Sequence, residues 1–201
     1  MHEPVKSASE RAFIGVILQL VLLPLGVVPS IIGYMVEAVA LYSLSQAFNN
    51  PAIAGYASNA LITAVMSILA LLISIFFLFV SFLGPSISGT FLGISMAMFL
   101  VSYVFILLSS RSYRNLYNEL ANSSGISEFR SAARRMWLGA LLFIMIAGAV
   151  LMLVGRIFAL LGYNRLKEWK PPQQTYFSHT YHRAATAENF KSQQKQYTRG
   201  P

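Results

Sequence analysis

One carboxylate and one guanidinium stand inside otherwise apolar sequence: Glu37 in "IIGYMVEAVALYSL" and Arg156 in "LMLVGRIFALLG". A carboxylate among apolar side chains must be protonated, face a packed interior, or meet a partner. Left alone at the centre of a bilayer helix it costs about 2.5–3.5 kcal/mol on insertion scales. Two chemistries follow for Glu37. It is an ion or proton site that exchanges with water, or it is a structural acceptor for Gln19, Tyr34 or nearby backbone N–H groups. Arg156 either pairs with Glu37 across neighbouring helices or snorkels to headgroups near the external end of its segment. Glu37 lies deeper by position, so no pair is expected.

Other chemistry is sparse. His179 and His182 form H-x-x-H, but no acidic residue flanks them closely, and zinc sites use three or four ligands. With no cysteine, disulfides, thiol catalysis and cysteine metal sites are excluded. No nucleophile–base–acid set, phosphate loop or carboxylate pair is present. The expectation is a protein that is not an enzyme and holds no cofactor and no metal.

The 201 residues are 56% hydrophobic and 11% charged, with mean hydropathy +0.58. A soluble domain carries about 25% charged residues. Ala60–Leu83 and Thr90–Leu108 hold no charge at all, and each exceeds the roughly 18 apolar residues of a bilayer span. This composition predicts an all-α integral membrane protein. The start, "MHEPVKSASERAFIGVILQLVLL", imitates a signal peptide. Glu3 and Glu10 spoil its basic region and no cleavage site precedes further apolar sequence, so a retained first helix is expected.

Charge placement sets the topology. Arg111, Arg114, Arg130, Arg134 and Arg135 lie between the fourth and fifth apolar segments, and Arg165, Lys167, Lys170, Arg183, Lys191, Lys195 and Arg199 follow the last. If 12–44 and 136–163 were single spans, these two groups would face opposite sides, against the positive-inside rule. If each is a helical hairpin, every basic segment is cytoplasmic. As one helix, the first run would extend about 50 Å against a core of about 30 Å. Pro24, Gly26 and Pro29 suit a turn within it. An internal repeat agrees: "FIGVILQLVLLPLGVVPSIIGYMVEAVALYSL" from Phe13 resembles "WLGALLFIMIAGAVLMLVGRIFALLGYNRL" from Trp137. It matches Gly15 to Gly139, Gly33 to Gly155 and Leu44 to Leu166, and parallel repeats share orientation.

The elements that must position Glu37 and Arg156 are therefore about six transmembrane helices in three hairpins: 8–23 with 30–48, 58–83 with 89–122, and 127–149 with 152–169. Four or five spans, with a kinked first or last segment, are the alternative. Turns at 24–29, 84–90 and about 150–153 then share the external face. The cytoplasmic face takes the N-terminus 1–7, the linker 109–135 and the tail 170–201. "NNP" at Asn49–Pro51 and "NSSG" at Asn122–Gly125 close helices. Tyr113, Leu116, Tyr117 and Leu120 keep helical spacing into an amphipathic extension. Gly89, Gly93 and Ala97 lie at four-residue spacing, which lets backbones approach. They are expected to pack on the third helix through Ser67 and Ser74, with a dimer face as the alternative. From Pro171 the chain is polar and Gln-rich, too poor in aliphatic surface to fold alone. Its basic residues and Tyr176, Tyr181 and Tyr197 suit a solvated tail better than a specific nucleic-acid partner.

Three stretches resemble an uncharacterised archaeal family of small multi-pass membrane proteins known as a domain of unknown function. They are "IIGYMVEAVALYSLSQAFNNPAI" (Ile31–Ile53), "SYRNLYNELANSSGISEFRSA" (Ser112–Ala132) and "MWLGALLFIMIAGAVLMLVGRIFALLGYNRLK" (Met136–Lys167). The likeness covers about residues 8–169. Arg156 and the tail after Pro171 fall outside its pattern. It implies an archaeal cell membrane, brings no activity, and carries over no functional residues. The functional expectation is a structural or accessory subunit of a membrane assembly, touching membrane lipids and other membrane subunits or a second copy of itself. A small channel or transporter using Glu37 is the alternative.

Overall fold

The computed structural model describes residues 2–22, 27–82 and 88–170. The predicted turn residues Pro24 and Gly26, most of the turn at 84–90, and the tail from Pro171 with His179 and His182 lie outside the described residues. Six helices follow in order: α1 (His2–Leu22), α2 (Val27–Ala47), α3 (Pro51–Ser81), α4 (Ser88–Ser124), α5 (Ser127–Leu141) and α6 (Ile146–Leu166). The three expected pairs, α1–α2, α3–α4 and α5–α6, are all formed. Each helix also packs on its next neighbour in sequence, and α1 meets α6, so the six stand in chain order around a closed ring. Residues 1–7 are not a separate segment, because α1 begins at His2.

Local chemistry sets the ends. Asn49 takes φ +50°, and the Asn50 side chain accepts the Ala52 N–H at 3.1 Å. Pro51 then occupies the first helical turn of α3, where no N–H is missed. Gly125 closes α4 at φ +76°, a left-handed conformation that a side chain resists. Both stops fall where the sequence puts them. The α4 extension also holds: Tyr113, Leu116, Tyr117 and Leu120 are buried, as part of the ring's core.

The last hairpin departs from expectation. It bends at Leu142–Met145, not near 150–153, and Ala149 lies inside α6. The repeat explains why. A Cβ on Gly15 would fall 2.6 Å from the Glu37 nitrogen, and one on Gly33 2.5 Å from that of Gln19. On the other hairpin, a Cβ on Gly139 would meet the Met152 nitrogen at 2.7 Å, and one on Gly155 that of Met136 at 3.1 Å. In both hairpins these glycines let two backbones touch. Yet Gly15 faces a residue four positions after Gly33, while Gly139 faces one three positions before Gly155. The pairing has slipped by seven positions, about two helical turns.

The small-residue stripe is also corrected. Gly89, Gly93 and Ala97 are exposed, and a Cβ at Gly89 or Gly93 would meet nothing within 4 Å. The contact face of α4 is made of serines instead. Ser74 Oγ donates to Ser95 O at 2.8 Å and Ser95 Oγ to Ser74 O at 2.9 Å. Ser67 and Ser102 exchange the same pair at 3.2 and 3.0 Å, and Ser109 Oγ donates to Ala60 O at 3.1 Å. Ser67 and Ser74 are thus the α3 partners, as expected, but of another α4 face. Hydroxyls in an apolar setting must be hydrogen-bonded; glycines carry no such demand and can be left facing outward.

The hairpins differ in length. At 1.5 Å per residue α3 and α4 extend about 46 and 55 Å, against about 31 Å for α1, α2 and α6. All start from the end that holds the short connections at 48–50 and 125–126. The α1–α2 and α5–α6 hairpins therefore stop near the middle of α3–α4. Tyr103 Oη donating to Leu141 O at 3.1 Å ties the end of α5 to mid-α4. From that level to their far ends the buried described residues of α3 and α4 are Ser67, Ile68, Ala70, Ser74, Ser95 and Ser102. Three helices, α3, α4 and α6, are long and apolar enough to cross a membrane.

Two substitutions test the packing. Gly33→Ala should lower stability by about 1–3 kcal/mol through overpacking against α1. Gly93→Ala should be neutral or add up to about 1 kcal/mol of helix propensity. Thermal unfolding of the purified protein reads both, and an equal loss at Gly93 would contradict the outward-facing stripe.

Candidate functional site

Helix periodicity aims four helices at one point. On α2, Glu37 shares its inward face with Ala40, Leu41 and Leu44; on α6, Arg156 shares one with Ala159, Tyr163 and Leu166. Spacings of three, four and seven put each set on a single stripe. Tyr113 and Tyr117 do the same on α4, and Gln19 enters from α1 beside the Gly33 approach.

Glu37 is 0% exposed. Its Oε2 accepts from Gln19 Nε2 at 2.8 Å and from Arg156 Nη1 at 2.8 Å. Its Oε1 accepts from Tyr117 Oη at 3.2 Å and Tyr163 Oη at 3.1 Å. An ionised carboxylate offers about four acceptor positions, and all four are filled by donors from three other helices, α1, α4 and α6. Arg156 Nη1 also donates to Tyr117 Oη at 3.1 Å. The guanidinium lies 4.2 Å from the Tyr113 ring centroid and 5.0 Å from that of Tyr34, close enough for cation–π attraction. Phe129 of α5 backs the cluster, stacked on Tyr117 and edge-on to Tyr163. Gly162 makes room for it, since a Cβ there would fall 2.7 Å from the ring.

The three polar residues singled out in the sequence are therefore together. The bond to Gln19 is the expected structural one. Arg156 corrects its expectation: it is 6% exposed and ion-paired with Glu37, not extended to headgroups. The two-turn slip of the last hairpin is the cause, because it moves Arg156 to the level of Glu37. Tyr117 and Tyr163 were not foreseen. Their signal was a phenol on the inward stripe, where an O–H needs a partner; Tyr163 lies seven residues after Arg156 and shares its face.

Beside the cluster is a cavity of about 370 Å³. Its end nearer the basic face is lined by Gln19, Tyr34, Tyr113 and Arg156, and its far end by Leu71, Ile106, Phe143 and Ala149. Glu37 is not on its wall. The Oε1 of Gln19 is buried without a hydrogen-bond partner, as is Nη1 of Arg135, whose guanidinium lies 3.6 Å from the Phe158 ring centroid. Among the described residues no group of three His, Cys, Asp or Glu side chains is placed to hold a metal.

Breaking the ion pair should be costly. Glu37→Gln, like Arg156→Met, should destabilise by about 3–5 kcal/mol by leaving a buried partner uncompensated, and the double variant should recover most of the loss. Tyr163→Phe should cost about 1 kcal/mol, one neutral-donor hydrogen bond. Denaturation of the four purified variants in one detergent checks the set; additive losses in the double variant would contradict the pair.

Residues 29–157 match the family described as a protein of unknown function, DUF996, a span that includes both Glu37 and Arg156. An uncharacterised protein of Methanocaldococcus jannaschii is 28% identical over 168 residues, covering 81% of this chain and 93% of its own length. No solved structure matches.

Proposed function

The chain belongs to the DUF996 family, whose function is unknown, and we propose that it is a non-enzymatic multi-pass membrane protein acting by association, as a structural or accessory subunit of a membrane assembly. The saturation of Glu37 carries this reading. A transport or proton site must exchange with water, whereas this carboxylate spends every acceptor position on protein donors and has no surface on the cavity. Groups so committed hold a ring of helices in one register, which suits a rigid component of a larger complex.

The unequal hairpins support a membrane placement. The sequence joining α3 to α4 is "GPSISG", polar and fit for water. The α5–α6 tip is "LFIM", with Ile144 70% and Met145 65% exposed. Its amides bond within the turn, Phe143 N–H to Ala140 O and Met145 N–H to Leu142 O, as backbone in hydrocarbon must. We read α3–α4 as crossing the cell membrane and returning. The two shorter hairpins enter from the cytoplasmic side and end within the apolar core. Both termini are then cytoplasmic, as the basic residues 111–135 and 165–170 favour.

Two experiments test this. A membrane-impermeant maleimide applied to intact cells should label Ser86→Cys and leave Ile144→Cys unlabelled; labelling of both would restore six full spans. Purification from native membranes in mild detergent should return a stable complex with other membrane proteins. A lone monomer, or a cation flux in liposomes that disappears in the folded Glu37→Gln, Arg156→Met double variant, would overturn the accessory role.

A further inference from the structure

The cavity is built like a socket for an amphiphile. At about 370 Å³ it has room for about a dozen groups of water or methylene size, at ~30 Å³ each, far more than an ion needs. Its walls come from every helix of the ring, and its two ends differ in character. Towards the basic face lie the Gln19 amide, the Arg156 guanidinium and the Tyr34 and Tyr113 rings; towards the Leu142–Met145 bend lie Leu71, Ile106 and Phe143, with Ser30 and Ser67 among them. A lipid of the cytoplasmic leaflet has the same polarity along the same direction.

The polar end has unused capacity of both kinds. Gln19 is 5% exposed; its Nε2 is held by Glu37, and its Oε1 accepts from nothing in the protein. A guanidinium carries five N–H donors, and the hydrogen bonds of Arg156 to Glu37 and Tyr117 leave from Nη1. The charge of Arg156 is already balanced by Glu37 at 2.8 Å. An anionic head would leave a net negative charge in an apolar interior, whereas a neutral head would not. A hydroxyl donates one hydrogen bond and accepts others, so it can answer Gln19 and Arg156 together.

We propose that this cavity binds a neutral single-chain lipid with a hydroxyl head, the head between Gln19 and Arg156 and the chain along Leu71, Ile106 and Phe143. The site needs only the ring's geometry; the direction of entry, from the cytoplasmic leaflet, rests on the membrane placement proposed above.

The test is photo-crosslinking of the full chain in lipid nanodiscs with dodecanol carrying a diazirine at its chain end. Labelling should saturate and map to peptides containing Ala64–Leu71 and Ala149–Arg156. Unlabelled dodecanol should compete about tenfold better than dodecane, as one or two buried hydrogen bonds imply, and better than dodecanoate. Ala64→Phe and Ala149→Phe, which fill the cavity from different helices, should abolish labelling; melting curves identify which variants remain folded. Labelling that persists in a folded variant, or never saturates, overturns the site. Equal competition by dodecane overturns the hydroxyl head, and stronger competition by dodecanoate overturns its neutrality. Failure of the Ile144→Cys accessibility result alone would remove the route of entry and leave the site standing.

Discussion

A carboxylate with no surface open to solvent has to find all of its hydrogen bonds within the protein, and Glu37 finds them on α1, α4 and α6. Each donor fixes a register. Gln19 reaches only because Gly15 and Gly33 let α1 and α2 touch backbone to backbone. Arg156 and Tyr163 must face inward seven residues apart, which sets the rotation of α6. Tyr117 sets that of α4, and Phe129, wedged between the two tyrosines, sets α5. Of the six helices only α3 has no member in this constellation or its backing.

The value of such a cluster is selection more than raw stability. Replacing a buried ion pair with apolar residues is often neutral or favourable, while breaking one is strongly unfavourable. Helices as rich in leucine, isoleucine and alanine as these can slide past one another by a turn at little cost. A slid register would strand Arg156 or Glu37 unpaired in an apolar interior. The ring is thereby confined to one arrangement by the penalty on its competitors, a role that buried polar groups are known to fill in coiled coils.

Most of the fold was legible in the sequence because its punctuation is chemical. Asn49–Pro51 and Asn122–Gly125 stop helices through a cap, a proline and a left-handed glycine, and each is visible as a residue type. The bend at Leu142–Met145 has no such residue. "LLFIMIAGAV" reads as continuous apolar helix, and the repeat pointed to a turn later in the chain. That single slip hid the Glu37–Arg156 pair as well, since depth in a bundle depends on register. The glycine stripe misled for a different reason: spacing shows which residues permit close approach, but hydroxyls that need partners decide which face is used.

The serine pairs and the Glu37 cluster answer the same physical demand at two scales. Towards the far tip of α3–α4, beyond the ring, no third helix is available to hold the pair in register. Ser74 with Ser95 supplies reciprocal hydroxyl–carbonyl bonds there, and Ser67 with Ser102 repeats them seven residues away at the ring's edge, spaced like the seam of a coiled coil. Where the other hairpins join, the charged cluster is added to the serine contacts, because more helices must be aligned at once and one hydroxyl cannot reach them all. The short hairpins can end where they do because the cluster lies on the basic-face side of their tips. Continuing α1–α2 and α5–α6 to the far tip would add apolar surface without adding a polar contact to fix it. What remains at the end of α5–α6 is an apolar bend and, beneath it, a cavity with Arg156 and Gln19 on its wall: the place where the aligning contacts stop before the helices do.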